Sequence, residues 1–185
     1  MASIIVEKPY TYQDYKNLDV EDNFWYELIN GELVQKSSPS LNHQRISGKF
    51  FLLFSAFINS NQLGEVFYAP IDVFLDEHNA PQPDLVFVSN AKKSLITNDG
   101  IIGPPDLVAE IISPSSVKRD RMDKMKLCKK YQIPEFWLID PNNTSVEIYT
   151  FQDGDYDVFA LAAETGTIQS GILPGFSLDI KTLFG

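Results

Sequence analysis

Pro105-Asp106-Leu107-Val108-Ala109-Glu110-Ile111-Ile112-Ser113-Pro114 decides how this chain is read. Prolines bracket an apolar run that holds one acid, Glu110. A short, continuous apolar stretch between turn residues reads as a buried strand. Strand alternation puts Val108, Glu110 and Ile112 on one face, and Leu107, Ala109 and Ile111 on the other. Burying an ionised carboxylate among such neighbours costs several kcal/mol unless a cation or hydrogen bonds compensate. Glu110 therefore requires a partner.

A second acid opens the apolar run Leu85-Val86-Phe87-Val88, in Gln82-Pro83-Asp84. If the two strands are neighbours, Asp84 and Glu110 can converge on a hard divalent cation such as Mg²⁺ or Mn²⁺, which takes oxygen ligands and keeps waters. The spacing alone leaves another reading open, with Asp84 capping a strand start and Glu110 paired to a basic side chain. Lys124 is the residue that bears on the choice. The segment Asp120 to Gln132 lacks Gly and Pro and is stopped by Pro134, as a helix would be. On a helix, Asp120, Lys124, Leu127, Cys128 and Tyr131 share an arc of roughly 100°, while Lys126, Lys129 and Lys130 point elsewhere. A lysine on that stripe can snorkel outward. Beside a carboxylate pair, it can instead orient an attacking water or stabilise charge on a phosphoryl oxygen.

The rest of the chain supplies the frame. Thr11 and Asp14 form a capping signal for a short helix. Asn30-Gly31, between Trp25–Ile29 and Glu32–Gln35, predicts a tight hairpin. From His43 to Asn59, Ile46, Phe50, Leu53, Phe54, Phe57 and Ile58 recur at helical spacing. Strands are expected at 66–68, 71–75, 85–88, 107–112, 136–139, 146–151 and 156–161, with turns at 77–83, 98–105 and after Ser113-Pro114-Ser115-Ser116. This order implies an α+β chain with a central mixed sheet flanked by helices. His43 is a candidate for a phosphate contact or proton transfer, with helix capping as the alternative. Glu27 is a candidate for a further carboxylate at the site, although an exposed cross-strand role is the commoner one for its position. Asp106 fits a strand-entry turn. Cys128 reads as a small packing residue.

The chain has 185 residues, consistent with one domain, and a formal charge of −10. That charge opposes nonspecific attraction to phosphate backbones, but Arg119, Arg121, Lys124, Lys126, Lys129 and Lys130 concentrate positive charge in one segment. Its apolar runs fall short of the roughly 20 residues that span a membrane. One cysteine cannot form an internal disulfide, so a reducing cytoplasm is the expected location. Two histidines and one cysteine argue against structural zinc.

These stretches, together with Pro134-Glu135-Phe136-Trp137-Leu138-Ile139-Asp140-Pro141, Tyr26-Glu27-Leu28-Ile29-Asn30-Gly31-Glu32 and His43, closely resemble the Uma-two-type family of restriction-endonuclease-like proteins. The resemblance covers nearly the whole chain and implies the PD-(D/E)XK nuclease fold. In that superfamily an Asp lies on one strand and Glu-x-Lys on the next. Here Ile112 stands in the lysine's place, and the resemblance implies that the lysine has moved to the following helix, as Lys124. Family members often carry Tyr where Cys128 stands, so the hydrogen bonding there is expected to differ. The implied activity is Mg²⁺-dependent cleavage of DNA, with Asp84, Glu110 and the Ile111 carbonyl on the metal and Lys124 positioning water. Cutting both strands of a duplex calls for two sites, hence an expected homodimer. The rival class is a noncatalytic interaction module that keeps the nuclease scaffold.

Overall fold

The computed structural model describes residues 8–18, 24–114 and 116–185; Ser115, where a turn is expected from the sequence, lies outside them. In chain order the elements are α1 (Tyr12–Lys16), β1 (Trp25–Ile29), β2 (Glu32–Lys36), α2 (Leu41–Ser60), β3 (Gly64–Tyr68), β4 (Val73–Phe74) and β5 (Leu85–Ser89). After a 3₁₀ turn come β6 (Ile96–Thr97), β7 (Gly100–Ile102) and β8 (Leu107–Ile111). A π-helical turn, Arg119–Lys124, runs into α3 (Met125–Lys130). The chain then forms β9 (Glu135–Asp140), β10 (Ser145–Gln152), β11 (Asp155–Ala163), β12 (Thr167–Gln169), β13 (Ser177–Asp179) and α4 (Ile180–Phe184).

The central sheet has the order β11-β10-β9-β8-β5-β3. Only β8 and β9 run parallel among its pairs; the others are antiparallel, so the sheet is mixed as expected. A parallel pair needs a crossover connection, and here the π turn and α3 supply it. Strand alternation sorts the core into two faces. Leu85, Phe87, Leu107, Ala109, Ile111, Trp137 and Ile139 face α2, which contributes Ile46, Phe50, Phe54 and Ile58. Those four positions recur every fourth residue, so one narrow stripe of α2 is fully buried while Leu53 stays 37% exposed. On the opposite face Val108, Ile112, Phe136 and Leu138 pack against Cys128 and Ile133.

Local signals explain the ends of these elements. Thr11 and Asp14 make the expected reciprocal capping box on α1. Ser40 caps α2 by accepting from the His43 N–H at 3.1 Å, which leaves the His43 ring out of the capping role. Asn30 and Gly31 adopt φ of 52° and 76°, as a type I′ hairpin turn requires. The turn-rich stretch expected at 98–105 in fact contains β7, which pairs with β4 and β6 in a small side sheet over Val86 and Val88. Its strands are too short to show periodicity, and Gly100 is needed where a Cβ would meet the Asp72 carbonyl oxygen at 2.5 Å. The strand expected at 71–75 spans only Val73–Phe74.

Candidate active site

Glu110 lies on the α3 side of β8, where alternation puts it beside Val108, and is 2% exposed. In the β5–β8 ladder Leu85 pairs with Ala109, so Asp84 stands opposite Glu110 one step beyond the last pair. Asp84 is 9% exposed, and its Oδ2 accepts from the Ile111 N–H at 2.7 Å. The two strands that carry the acids are thus neighbours. The crossover brings Lys124 onto them: its Nζ lies 2.8 Å from Glu110 Oε1 and 3.2 Å from Glu27 Oε2, with Asp120 Oδ1 at 3.9 Å. Lys124 is 3% exposed. Asp120, Lys124, Leu127 and Cys128 form the buried stripe, while Lys126 and Lys130 are exposed. The helix starts with a π turn rather than the expected α turn, a local widening often found at functional sites.

Glu27 corrects an expectation. It is fully buried rather than an exposed cross-strand partner. Leu28 and Ala80 exchange backbone hydrogen bonds and the Asn30 N–H donates to Asn79 Oδ1, so the hairpin is pinned down with Glu27 facing inward. Glu27 Oε2 then accepts from the Gln82 N–H at 3.1 Å, and Oε1 lies 3.3 Å from Arg119 Nε, out of line for a hydrogen bond. From the other side His43 Nε2 reaches Asp84 Oδ2 at 3.2 Å. Asp106 accepts from the Ser89 N–H and takes no part in the cluster, as its turn setting implied.

Burial pushes Glu110 well above the ordinary carboxylate range; Lys124 opposes this, but Asp120 and Asp84 add to it. Asp120 is raised by burial against the pull of Lys124. For Glu27 burial is outweighed by Lys124, Lys36, the Gln82 N–H and Arg119, and its carboxyl is held low. Asp84 is also held low against burial, by its bond to His43, the His43 charge, Lys36 and Lys124. Burial would lower the Lys124 ammonium, yet Glu110, Glu27, Asp120 and Asp84 outweigh it and raise it. Burial lowers His43 too, and its hydrogen bond to Asp84 with the Asp84 charge more than restores it. The thiol of buried Cys128 is pushed up by burial, which suits a packing residue.

Sequence reading brought Asp84, Glu110, Lys124, His43 and Glu27 forward, and all five meet here. It missed Lys36, Gln82, Asp120 as a cluster member and Arg119 as the partner of Glu27. The inward-facing hairpin that recruits Lys36 and Gln82 rests on long-range backbone bonds that leave no local signature. Among the described residues, no group of three or more His, Cys, Asp and Glu side chains is arranged to hold a metal ion unaided. A cation would draw on Asp84, Glu110, the Ile111 carbonyl and water, a combination Mg²⁺ accepts. Asp84 and Glu110 stand on paired strands, and two carboxylates with a backbone carbonyl are hard oxygen donors, so the donor set fits such a cation.

The family model described as "Uma2: Putative restriction endonuclease" matches residues 12–181. The chain belongs to the Uma2 family. Among proteins similar to this Uma2 chain is the uncharacterized protein sll1609 of Synechocystis sp., 24% identical over 151 residues that cover 80% of this chain and 85% of the relative. Among solved structures, one described as a "putative nuclease belonging to DUF820" from Anabaena variabilis superposes with a TM-score of 0.78 at 22% identity, covering 95% of this chain and 98% of its own. At that identity the likeness establishes the fold. Within this Uma2 chain the cluster is enclosed toward α3, where the adjoining cavity of about 10 Å³ has room for about one water. It opens toward His43, whose side chain is 17% exposed, and Asp84, at 12%.

Proposed function

We propose that the chain is a divalent-metal-dependent nuclease that hydrolyses phosphodiester bonds of DNA. One observation carries this reading: two acids on neighbouring strands meet a buried lysine delivered by the crossover, with Lys124 Nζ 2.8 Å from Glu110. Asp84, Glu110 and the Ile111 carbonyl would hold Mg²⁺ or Mn²⁺, which when bound supplies Lewis acidity at the scissile phosphate. Lys124 fixes the Glu110 carboxylate and sets a cationic field for charge that develops on phosphoryl oxygens. His43, at the open side of Asp84, donates a proton to the departing oxygen. In the balanced step the water oxygen bonds to phosphorus, the bond from phosphorus to the leaving nucleotide oxygen breaks, the water releases a proton to solvent, and His43 protonates the leaving oxygen. A homodimer in the cytoplasm, one site for each strand, completes the reading.

Calorimetric titration with Mg²⁺ and Mn²⁺, followed by cleavage assays on single- and double-stranded DNA and RNA, tests the proposal. Binding of either ion, lost in Asp84→Asn, together with metal-dependent cleavage is the expected result. Absence of both sinks it. The formal charge of −10 favours the second reading, an interaction module without catalysis. That reading predicts a stable fold with neither metal uptake nor cleavage.

A further inference from the structure

Lys124 is poorly placed to touch a nucleic-acid strand. Its ammonium is 3% exposed, and three carboxylates surround it within 3.9 Å. One of its donors goes to Glu110 at 2.8 Å, and the charges of Glu27 and Asp120 hold the ammonium inside the cluster, away from solvent. Lys36 differs. It ends β2, its Nζ donates to the Gln82 carbonyl at 2.7 Å, and no further partner is found for it among the described residues. Two donors remain. The same Gln82 donates its N–H to Glu27 Oε2 at 3.1 Å and stands two residues before Asp84, which puts Lys36 beside the cluster. Four residues after Lys36, the chain enters α2 and presents His43 to Asp84. Lys36 through Gln82 and His43 through Asp84 are thus both held at the acids, where His43 and Asp84 keep their exposure.

We propose that Lys36 binds a phosphate of the nucleic-acid strand at this site, a charged contact that the enclosed Lys124 cannot make. The proposal rests on the nuclease reading and adds a residue to it. Binding of a short fluorescent DNA duplex is followed by anisotropy across salt concentrations with Ca²⁺ replacing Mg²⁺, alongside initial rates in Mg²⁺. Two neutral variants are compared, Lys36→Gln, which keeps a donor for the Gln82 carbonyl, and Lys36→Met. Each is expected to weaken binding roughly tenfold, raise KM more than it lowers kcat, and flatten the log–log salt dependence by about 0.9. Lys36→Arg should restore the slope, and Lys126→Met, on the exposed side of α3, should not change it. If the parent binds and cleaves but the neutral variants keep its slope and KM, Lys36 does not touch phosphate while the nuclease reading stands. If the parent neither binds nor cleaves, both fall.

Discussion

Replacing Lys124 by methionine keeps the length and apolar stem of the side chain and removes only its charge, so the variant measures what the ammonium does. In the parent, Nζ sits 2.8 Å from Glu110 and 3.2 Å from Glu27, both essentially without solvent. Removing one partner of a buried ion pair costs about 3–5 kcal/mol, because the other charge is left uncompensated. A domain of this size is typically stable by about 5–15 kcal/mol, so the variant should fold yet melt far earlier. The loss is bounded by protonation. Burial already raises the Glu110 carboxyl, and without Lys124 it and Glu27 rise further. A carboxyl raised in the folded state contributes stability below its unfolded pKa and loses it as pH climbs through the folded one. Lys124→Met should therefore be least stable relative to the parent near pH 8 and recover toward about pH 5. Urea unfolding at both pH values measures this, and cleavage by the folded variant should drop roughly 10²-fold or more. Equal stability of parent and variant at the higher pH would refute the reasoning.

Three further outcomes follow from the same geometry. His43 should titrate above 6.5, since its bond to Asp84 outweighs burial, and Asp84→Asn should bring it down; the ring-proton shifts in NMR read this directly. While Asp84 is ionised, the His43 contribution to stability is full below about pH 6.5 and is lost as pH rises through the folded value, so the Asp84→Asn penalty should shrink in alkali. Gly31→Val puts a β-branched residue at φ 76°, where a Cβ would meet Pro9 Cβ at 2.4 Å, and should destabilise by about 1–3 kcal/mol and lower cleavage through Glu27; chemical denaturation checks it. Phe54→Ala removes a fully buried ring that contacts Phe50, Phe87, Trp137 and Phe176, and should cost about 3–5 kcal/mol in thermal unfolding with the site residues untouched.

Residues 107–112 carried much of this structure openly. A buried strand and its alternation could be read there because a period of two assigns each side chain a face, and Val108, Glu110 and Ile112 do share one. Lys124 was legible because its helical phase matches Leu127 and Cys128, even though a π turn replaces part of the helix. Glu27 was legible only as a candidate. Its burial depends on Leu28 and Ala80 meeting across long sequence separation, and a hairpin pattern looks the same whether one face is covered or not. Asp120 shares the helical phase of Lys124, but phase alone does not make a carboxylate a cluster member, and Arg119 stands in the same charged run as Lys126 and Lys130, where composition cannot separate cluster members from solvated ones. The short C-terminal strands β12 and β13 had no periodicity long enough to show.

The crossover between β8 and β9 also sets how much chain must be closed to bring the site together. Glu110 and Lys124 are 14 residues apart, so their contact closes a short loop within one strand–helix–strand unit. Glu27 meets the same ammonium across a roughly sevenfold longer stretch of chain, whose closure costs about 1.7 kcal/mol more in entropy. The acid–lysine centre is thus the local part of the site and the hairpin its long-range cover, so sequence changes confined to residues 25–36 can loosen the cover while the strand–helix–strand unit beneath keeps its own contacts.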